Sequence, residues 1–233
     1  MVRQSLASRV AEDLLASIIG GEFPPGALLP GEAELTARHQ VSRMTLREAI
    51  KTLEAQQVLS VEQGRGTFVN PVARWTSLEA VLRASSARGN DASAAIQLIE
   101  LRRMLETGAA ELAGERISKA ELDDLREQLT AMTDAHRNND VDSFVRADLA
   151  FHDIILHASG NVFVAVLFEP LSRVLAARRA QTSAVVQIQS HAIAAHADIV
   201  RALAEANAES ARRAMDDHMT ETLNDLRSYL LHP

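Results

Sequence analysis

A chain of 233 residues with 24 Lys/Arg, 31 Asp/Glu and a formal net charge of −7 has room for two modest domains, each with its own core. The absence of cysteine excludes disulfides and thiolate metal sites and fits a reducing cytoplasm. No apolar run reaches the ~20 residues that cross a bilayer, and the first residues lack a signal peptide's apolar core, so a cytoplasmic protein with no membrane partner is expected.

Leu6, Val10, Leu14, Ile18 and Ile19 mark a first amphipathic helix that stops at Gly20-Gly21. Leu28-Leu29-Pro30-Gly31-Glu32 then leads into a short helix, Glu32 to His39, and Gln40-Val41-Ser42 links it tightly to the next. Ser42 is a good N-cap for that third helix. Leu46, Ala49, Ile50 and Leu53 fall at i, i+3, i+4 and i+7 and form one apolar stripe. Arg43, Arg47 and Lys51 recur every four residues as a separate cationic ridge. The first turn exposes Arg43, Met44 and Thr45, where a recognition helix presents its base-reading side chains. Val58–Glu62 and Thr67–Val69 read as two short strands around Gln63-Gly64-Arg65-Gly66, whose glycines permit the positive φ of a hairpin turn and close approach to a phosphate backbone. The pattern is a winged helix-turn-helix over residues 1–70.

Charge qualifies this reading. Residues 1–74 hold eight Lys/Arg and eight Asp/Glu, so the remaining 16 Lys/Arg and 23 Asp/Glu carry the whole −7. A DNA-binding domain is ordinarily basic, and this one is neutral. Binding to double-stranded operator DNA must then depend on where the cations sit and on two copies acting together. The plainer alternative for the cationic ridge is a solvated helix face.

Residues 71–75 form the expected linker, with Pro71 closing the last strand and Trp75, the sole tryptophan, packing nearby. From Leu78 onward the pattern is helical, with segments at 76–88, 92–116, 119–138, 141–158, 161–182, 187–206 and 208–231. Asp91, Ser118, Asp140 and Ala208 lie near their starts, and Pro170 is expected to kink the fifth. The fold class is therefore mainly α: a winged helix-turn-helix with a small β-hairpin wing, then an all-α bundle of six or seven antiparallel helices over 76–233.

Inside that bundle, Asp148 and His152 stand four residues apart on one helix face. His196 lies on a stripe with Ile199 and Leu203, and His218 between Met215 and Leu223. Singly, each histidine reads as a hydrogen-bonded core or surface residue. Together on neighbouring helices, three imidazoles and a carboxylate can satisfy one another through a divalent metal. Zinc suits them, and manganese, iron or nickel would use the same ligands with water completing the shell. His191 stands near His196 as an extra histidine, while His39, His136 and His157 have no arrangement that commends them.

Leu29-Pro30-Gly31-Glu32, Val41-Ser42-Arg43, Thr45-Leu46-Arg47-Glu48-Ala49 and Gly64-Arg65-Gly66-Thr67-Phe68-Val69 resemble the GntR family of bacterial transcription factors. The resemblance implies operator contacts at Arg43, Thr45 and Arg47 and a close wing approach at Gly64, with Met44, Gln63 and Arg65 beside them. The family carries arginine after the Pro-x-Glu of this motif, and Ala33 stands there instead. Arg38, on the same helix, is the candidate to compensate. Leu101-Arg102 to Glu106, Asp148 to His152, Ser159-Gly160-Asn161, His196-Ala197-Asp198-Ile199 and His218 resemble the FCD effector domain of the FadR subfamily. That resemblance implies Asp148, His152, His196 and His218 as metal ligands, and a small organic acid as effector.

Arg102 is a candidate to hold the acid's carboxylate by a two-bond fork, the alternative being a surface pair with Glu106. Asn161 is a candidate polar contact, the alternative being a plain turn role. The Trp75 junction and Glu100-Leu101-Arg102-Arg103 are similar to regulators of sugar-acid catabolism, which suggests a sugar acid or hydroxy-acid. The expected protein is a ligand-gated, homodimeric repressor on a pseudo-palindromic site, and not an enzyme. The alternative is a metal-dependent enzyme acting on a small carboxylate, with Asp153 or Glu169 as general acid or base. Asp153, however, points about 100° around the helix from His152. A chromosome-architecture protein, a third possibility, leaves the histidines without a use.

Overall fold

The computed structural model describes residues 5–87 and 92–231, which fall into two units dividing between residues 90 and 91. The helix start expected at Asp91, and the last residue of the expected 76–88 segment, lie outside the described residues.

In the first unit, α1 (Leu6–Ile19) is capped by Ser5, whose side chain accepts from the Ser8 N–H, and it buries Val10, Leu14, Leu15 and Ile18. Helix α2 (Glu32–His39) ends at Gln40 in the left-handed region, φ 53°, which turns the chain directly into α3 (Arg43–Ala55). Ser42 caps α3 by accepting from the Thr45 N–H at 3.1 Å. The stripe Leu46, Ala49 and Leu53 is almost wholly enclosed, and Leu35, Val58, Leu59 and Val69 complete the core around it. Burying each of the larger aliphatic side chains stabilises the unit by roughly 1.5–3 kcal/mol. Strands β1 (Leu59–Glu62) and β2 (Gly66–Val69) pair antiparallel, with Leu59 opposite Val69 and Glu62 opposite Gly66. At the tip, Arg65 N–H donates to the Glu62 carbonyl, and Gly64 takes the positive φ, 75°, that this turn position needs.

One expected boundary differs from the structure. The sequence places a linker at 71–75 and begins the second domain at 76, but Trp75 and helix α4 (Leu78–Ala87) belong to the first unit. The reason is packing. Ala80 and Ala84, four residues apart, join the first unit's core, where their small side chains permit close approach, and Arg83 pairs with Glu12 of α1 at 2.5 Å. Trp75 is buried in the same core and donates its Nε1–H to the Asn70 carbonyl at 3.0 Å.

The second unit therefore holds six of the seven expected helices: α5 (Ala92–Arg116), α6 (Lys119–Arg137), α7 (Val141–Ala158), α8 (Val162–Thr182), α9 (Val186–Ala204) and α10 (Ala208–Leu226). Connections of two or three residues join them. Ser118 and Glu121 form a reciprocal capping box, and Asp140 and Asn207 cap α7 and α10 by accepting from the Ser143 and Ser210 N–H groups. Helix α5 packs on α10, α6 on α7 and α9, α9 on α10, and α7 on α5 and α8. At Gly114 a Cβ would sit 2.8 Å from the Ala208 Cα, so only glycine lets α5 approach the start of α10 this closely. Phe151, Ile155, Leu125, Ile199, Leu203, Met215 and Met219 fill the core. Pro170 lies within α8. Among the described residues no helix is long and apolar enough to cross a membrane.

Candidate metal centre and nucleic-acid interface

The exposed end of α3 carries the side chains expected to read DNA. Met44 is 77% exposed, Arg43 is exposed and Thr45 half-buried, and the Thr45 hydroxyl lies 2.9 Å from that of Ser42. Arg43 has no ion-pair partner among the described residues. Arg47 donates through Nε and Nη2 to Glu32 at 3.1 and 3.0 Å, a pair that raises the guanidinium's pKa. Arg38 grips Glu22 with both terminal nitrogens, lies 5.7 Å over the Phe23 ring, and pushes the Glu22 carboxyl down to about 2. It thus ties α2 to the α1 end of the unit. On the wing, Gln63 and Gly64 are exposed, and Arg65 pairs with Glu62 above Phe68. Ion pairs exposed in this way contribute little to stability and exchange readily for phosphate.

The second unit brings the expected ligands together at its centre. Asp148 and His152 project from α7, His196 from α9 and His218 from α10, and all four are buried. One nitrogen from each imidazole falls within 4.8 Å of the others. The Nε2 atoms of His152 and His196 are 3.3 Å apart, and Asp148 Oδ1 lies 3.3 Å from His196 Nε2 and 3.9 Å from His152 Nε2. Tetrahedral ligands 2.0–2.1 Å from a metal are spaced about 3.4 Å apart, so this constellation fits a cation. His218 Nε2 is buried with no hydrogen-bond partner among the described residues, as a ligand atom awaiting a metal would be.

The surroundings prepare these rings. Glu106 Oε2 lies 2.5 Å from His152 Nδ1, and the Ala192 carbonyl 2.5 Å from His196 Nδ1, which leaves each Nε2 to face the cluster. Burial, reinforced by neighbouring imidazoles, pushes the pKa values of His196 and His218 well below the usual histidine range, so both are neutral at neutral pH, the form that binds metal. Burial alone would raise the Glu106 pKa, but Arg102 and His152 outweigh it and keep the carboxyl well below its usual range. A small cavity of about 50 Å³ borders His218, walled by Ile188, Ala192, Thr222 and Leu226.

Arg102 does pair with Glu106, four residues on, but at 2.7 Å in the interior and not on the surface. Asn161 accepts from the Phe163 N–H at 3.1 Å as the cap of α8, the turn role, and none of the described contacts brings it to the histidines. His191 lies instead 2.9 Å from Asp225 and 3.3 Å from Glu221. Asp153 and Glu169, the groups an enzyme would need, are exposed while the cluster is enclosed.

Two participants at the centre were not among the expected ligands or effector contacts. Glu106 supports His152, and Arg179 of α8, buried, pairs with Asp148. A signal for Arg179 existed: it continues the apolar stripe Phe168, Leu171 and Leu175, where a cation is out of place.

Two family profiles match the chain: the gntR family of bacterial regulatory proteins over residues 6–69 and the FCD domain over 97–221. The chain is 28% identical to the HTH-type transcriptional regulator LutR of Bacillus subtilis across 91% of its own length and 97% of that protein's. It is 30% identical to the galactonate operon transcriptional repressor of Escherichia coli over 66% of both chains. Among solved structures, a GntR protein of Streptococcus agalactiae superposes with a TM-score of 0.52 at 28% identity, covering 94% of this chain and 99% of that one. Lar, which controls agr expression in Listeria monocytogenes, shares the fold with a TM-score of 0.66 at 21% identity, over 98% and 100% of the two chains. These relatives and both domains are transcription regulators, not enzymes.

Proposed function

The chain belongs to the GntR family of bacterial transcriptional regulators, with an FCD effector domain after its winged helix, and we propose that it is a cytoplasmic repressor whose grip on DNA is relieved by a small organic acid bound at a metal. The observation that carries this reading is the enclosed His152–His196–His218 cluster, with Asp148 beside it, in a chain that also presents an exposed recognition helix. Asp148, His152, His196 and His218 hold the metal, which supplies a Lewis-acidic position for a carboxylate. Zinc suits three imidazoles and one carboxylate, and manganese, nickel or iron are the other candidates. Arg102 and Glu106, paired in the interior beside His152, border the same site.

On the DNA side, Arg43, Met44, Thr45 and Arg47 enter the major groove while Gln63, Gly64 and Arg65 approach the backbone. Arg38 joins them only by leaving Glu22. Two copies present two such helices to a pseudo-palindromic operator. Val162, Phe163, Val166 and Leu167, large apolar side chains exposed on α8, offer a surface on which a second copy buries area. The acid must bind one domain placement better than the other, by the 1–3 kcal/mol typical of allosteric coupling. A relative that represses a galactonate operon supports a sugar acid as effector.

The test is selection of binding sites from random DNA with the full-length, metal-loaded protein. Two half-sites related by a two-fold axis, about one helical turn apart, are the expected product. Enrichment of single, isolated half-sites would sink the dimeric reading, and no enrichment at all would sink the operator reading.

A further inference from the structure

Beside the histidine cluster two arginines are buried, and their guanidinium edges are used differently. Arg102 turns its side-on fork, Nε and Nη2, onto the Glu106 carboxylate at 2.7 and 3.4 Å. Arg179 engages Asp148 through Nη1 alone. Its Nε and Nη2 are enclosed and have no hydrogen-bond partner among the described residues. Those two atoms are the pair that donates in parallel to the two oxygens of a carboxylate. A buried donor without an acceptor is costly, and the two oxygens of one anion would satisfy both donors on this edge.

Resting on the metal-and-acid reading above, we propose that Arg179, and not Arg102, anchors the effector's carboxylate through its Nε/Nη2 fork. Arg102 is then a positioning residue: it holds Glu106, which in turn holds His152. Asp148 joins the two halves of the site, one oxygen meeting Arg179 and the other lying 3.3 Å from His196 Nε2. An acid on the fork would sit on the guanidinium that Asp148 links to His196. This selects small acids with a second oxygen donor next to the carboxylate, such as an α-hydroxyl. Charge agrees. Arg102 with Glu106 and Arg179 with Asp148 sum to zero, so a divalent metal leaves an enclosed positive surplus that an anion offsets.

The experiment uses the full-length, zinc-loaded protein, with glycolate, gluconate and citrate as probes against sodium chloride at matched ionic strength. Thermal stabilisation and zinc content are both read, in wild type, R179Q, R179K and R102Q. Wild type is expected to be stabilised. R179Q is expected to keep its zinc and bind the acids at least ~10-fold more weakly, since two charge-assisted hydrogen bonds are lost. R179K, which keeps the charge without the fork, is expected to lose affinity as well, and it decides the matter if R179Q does not fold. R102Q is expected to lose zinc and acid response together. Wild-type affinity in R179Q or R179K would overturn the assignment, as would an R102Q protein that keeps full zinc and alone loses the acids. If no acid stabilises zinc-loaded wild type, the carboxylate reading of the metal site itself falls, and this assignment with it.

Discussion

In the winged-helix unit, the arginines proposed to meet DNA lie at the surface, and Arg38, Arg47 and Arg65 each rest against a glutamate: Glu22, Glu32 and Glu62. In the helical unit, Arg102, Glu106, Asp148 and Arg179 are enclosed and paired around three buried imidazoles. The same residue types do opposite work. A surface pair in water is weak and screened by salt, so its arginine can change partners when a phosphate arrives. A buried pair is held by the cost of leaving any member uncompensated, so it fixes geometry and changes only when another ion enters. The first arrangement suits reversible DNA binding, and the second suits sensing.

The sharpest way to break this contrast lies in the buried unit. His196→Ala removes the ring that lies within 3.3 Å of both His152 and Asp148, and metal affinity should fall by more than ~100-fold, beyond the loss typical of an outer-shell change. Elemental analysis after dialysis reads it, and full metal occupancy would refute the ligand set. DNA affinity of the metal-free protein should change far less.

Acid is a gentler probe of the same burial. With folded pKa values pushed well below the 6.5 of an ordinary histidine, His196 and His218 take up fewer protons in the folded than in the unfolded state as pH drops through 6.5. Their contribution is thus fully present above that pH and is lost as pH falls below it. Stability of the metal-free protein should decline by up to about 1.4 kcal/mol per pH unit for each histidine. Denaturant titrations from pH 7 to pH 5 measure this, and flat stability would mean that the rings are not desolvated. The surface unit gives the smallest effect. Arg47→Ala should weaken operator binding roughly tenfold, with metal content and folding unchanged. Unchanged affinity in a gel-shift titration would remove Arg47 from the reading face.

Much of this was legible in the sequence because it is local. Ser42, Leu46, Ala49 and Leu53 specify a capped amphipathic helix without reference to the rest of the chain, and α2 runs over the expected Glu32–His39. The Asp148–His152 spacing puts both groups on one helix face by geometry alone. Other features depend on partners far along the chain. The pairing of Arg102 with Glu106 follows from their spacing, yet nothing in that spacing says that the pair lies inside. That Glu106 reaches His152, forty-six positions on, or that Arg179 reaches Asp148, depends on how α5, α7 and α8 meet. Helix α4 shows the same limit: its periodicity marks a helix but not its partner, and only packing places Ala80 and Ala84 in the first unit's core.

By itself, then, the sequence determined which segments become helix, turn and wing, and which side chains share a face, because capping, periodicity and glycine conformations act over a few residues. Only the tertiary structure decided which of the charged groups are shut away from water together. That depends on contacts between distant helices, and the cost of burying a charge is set by whatever the fold brings beside it.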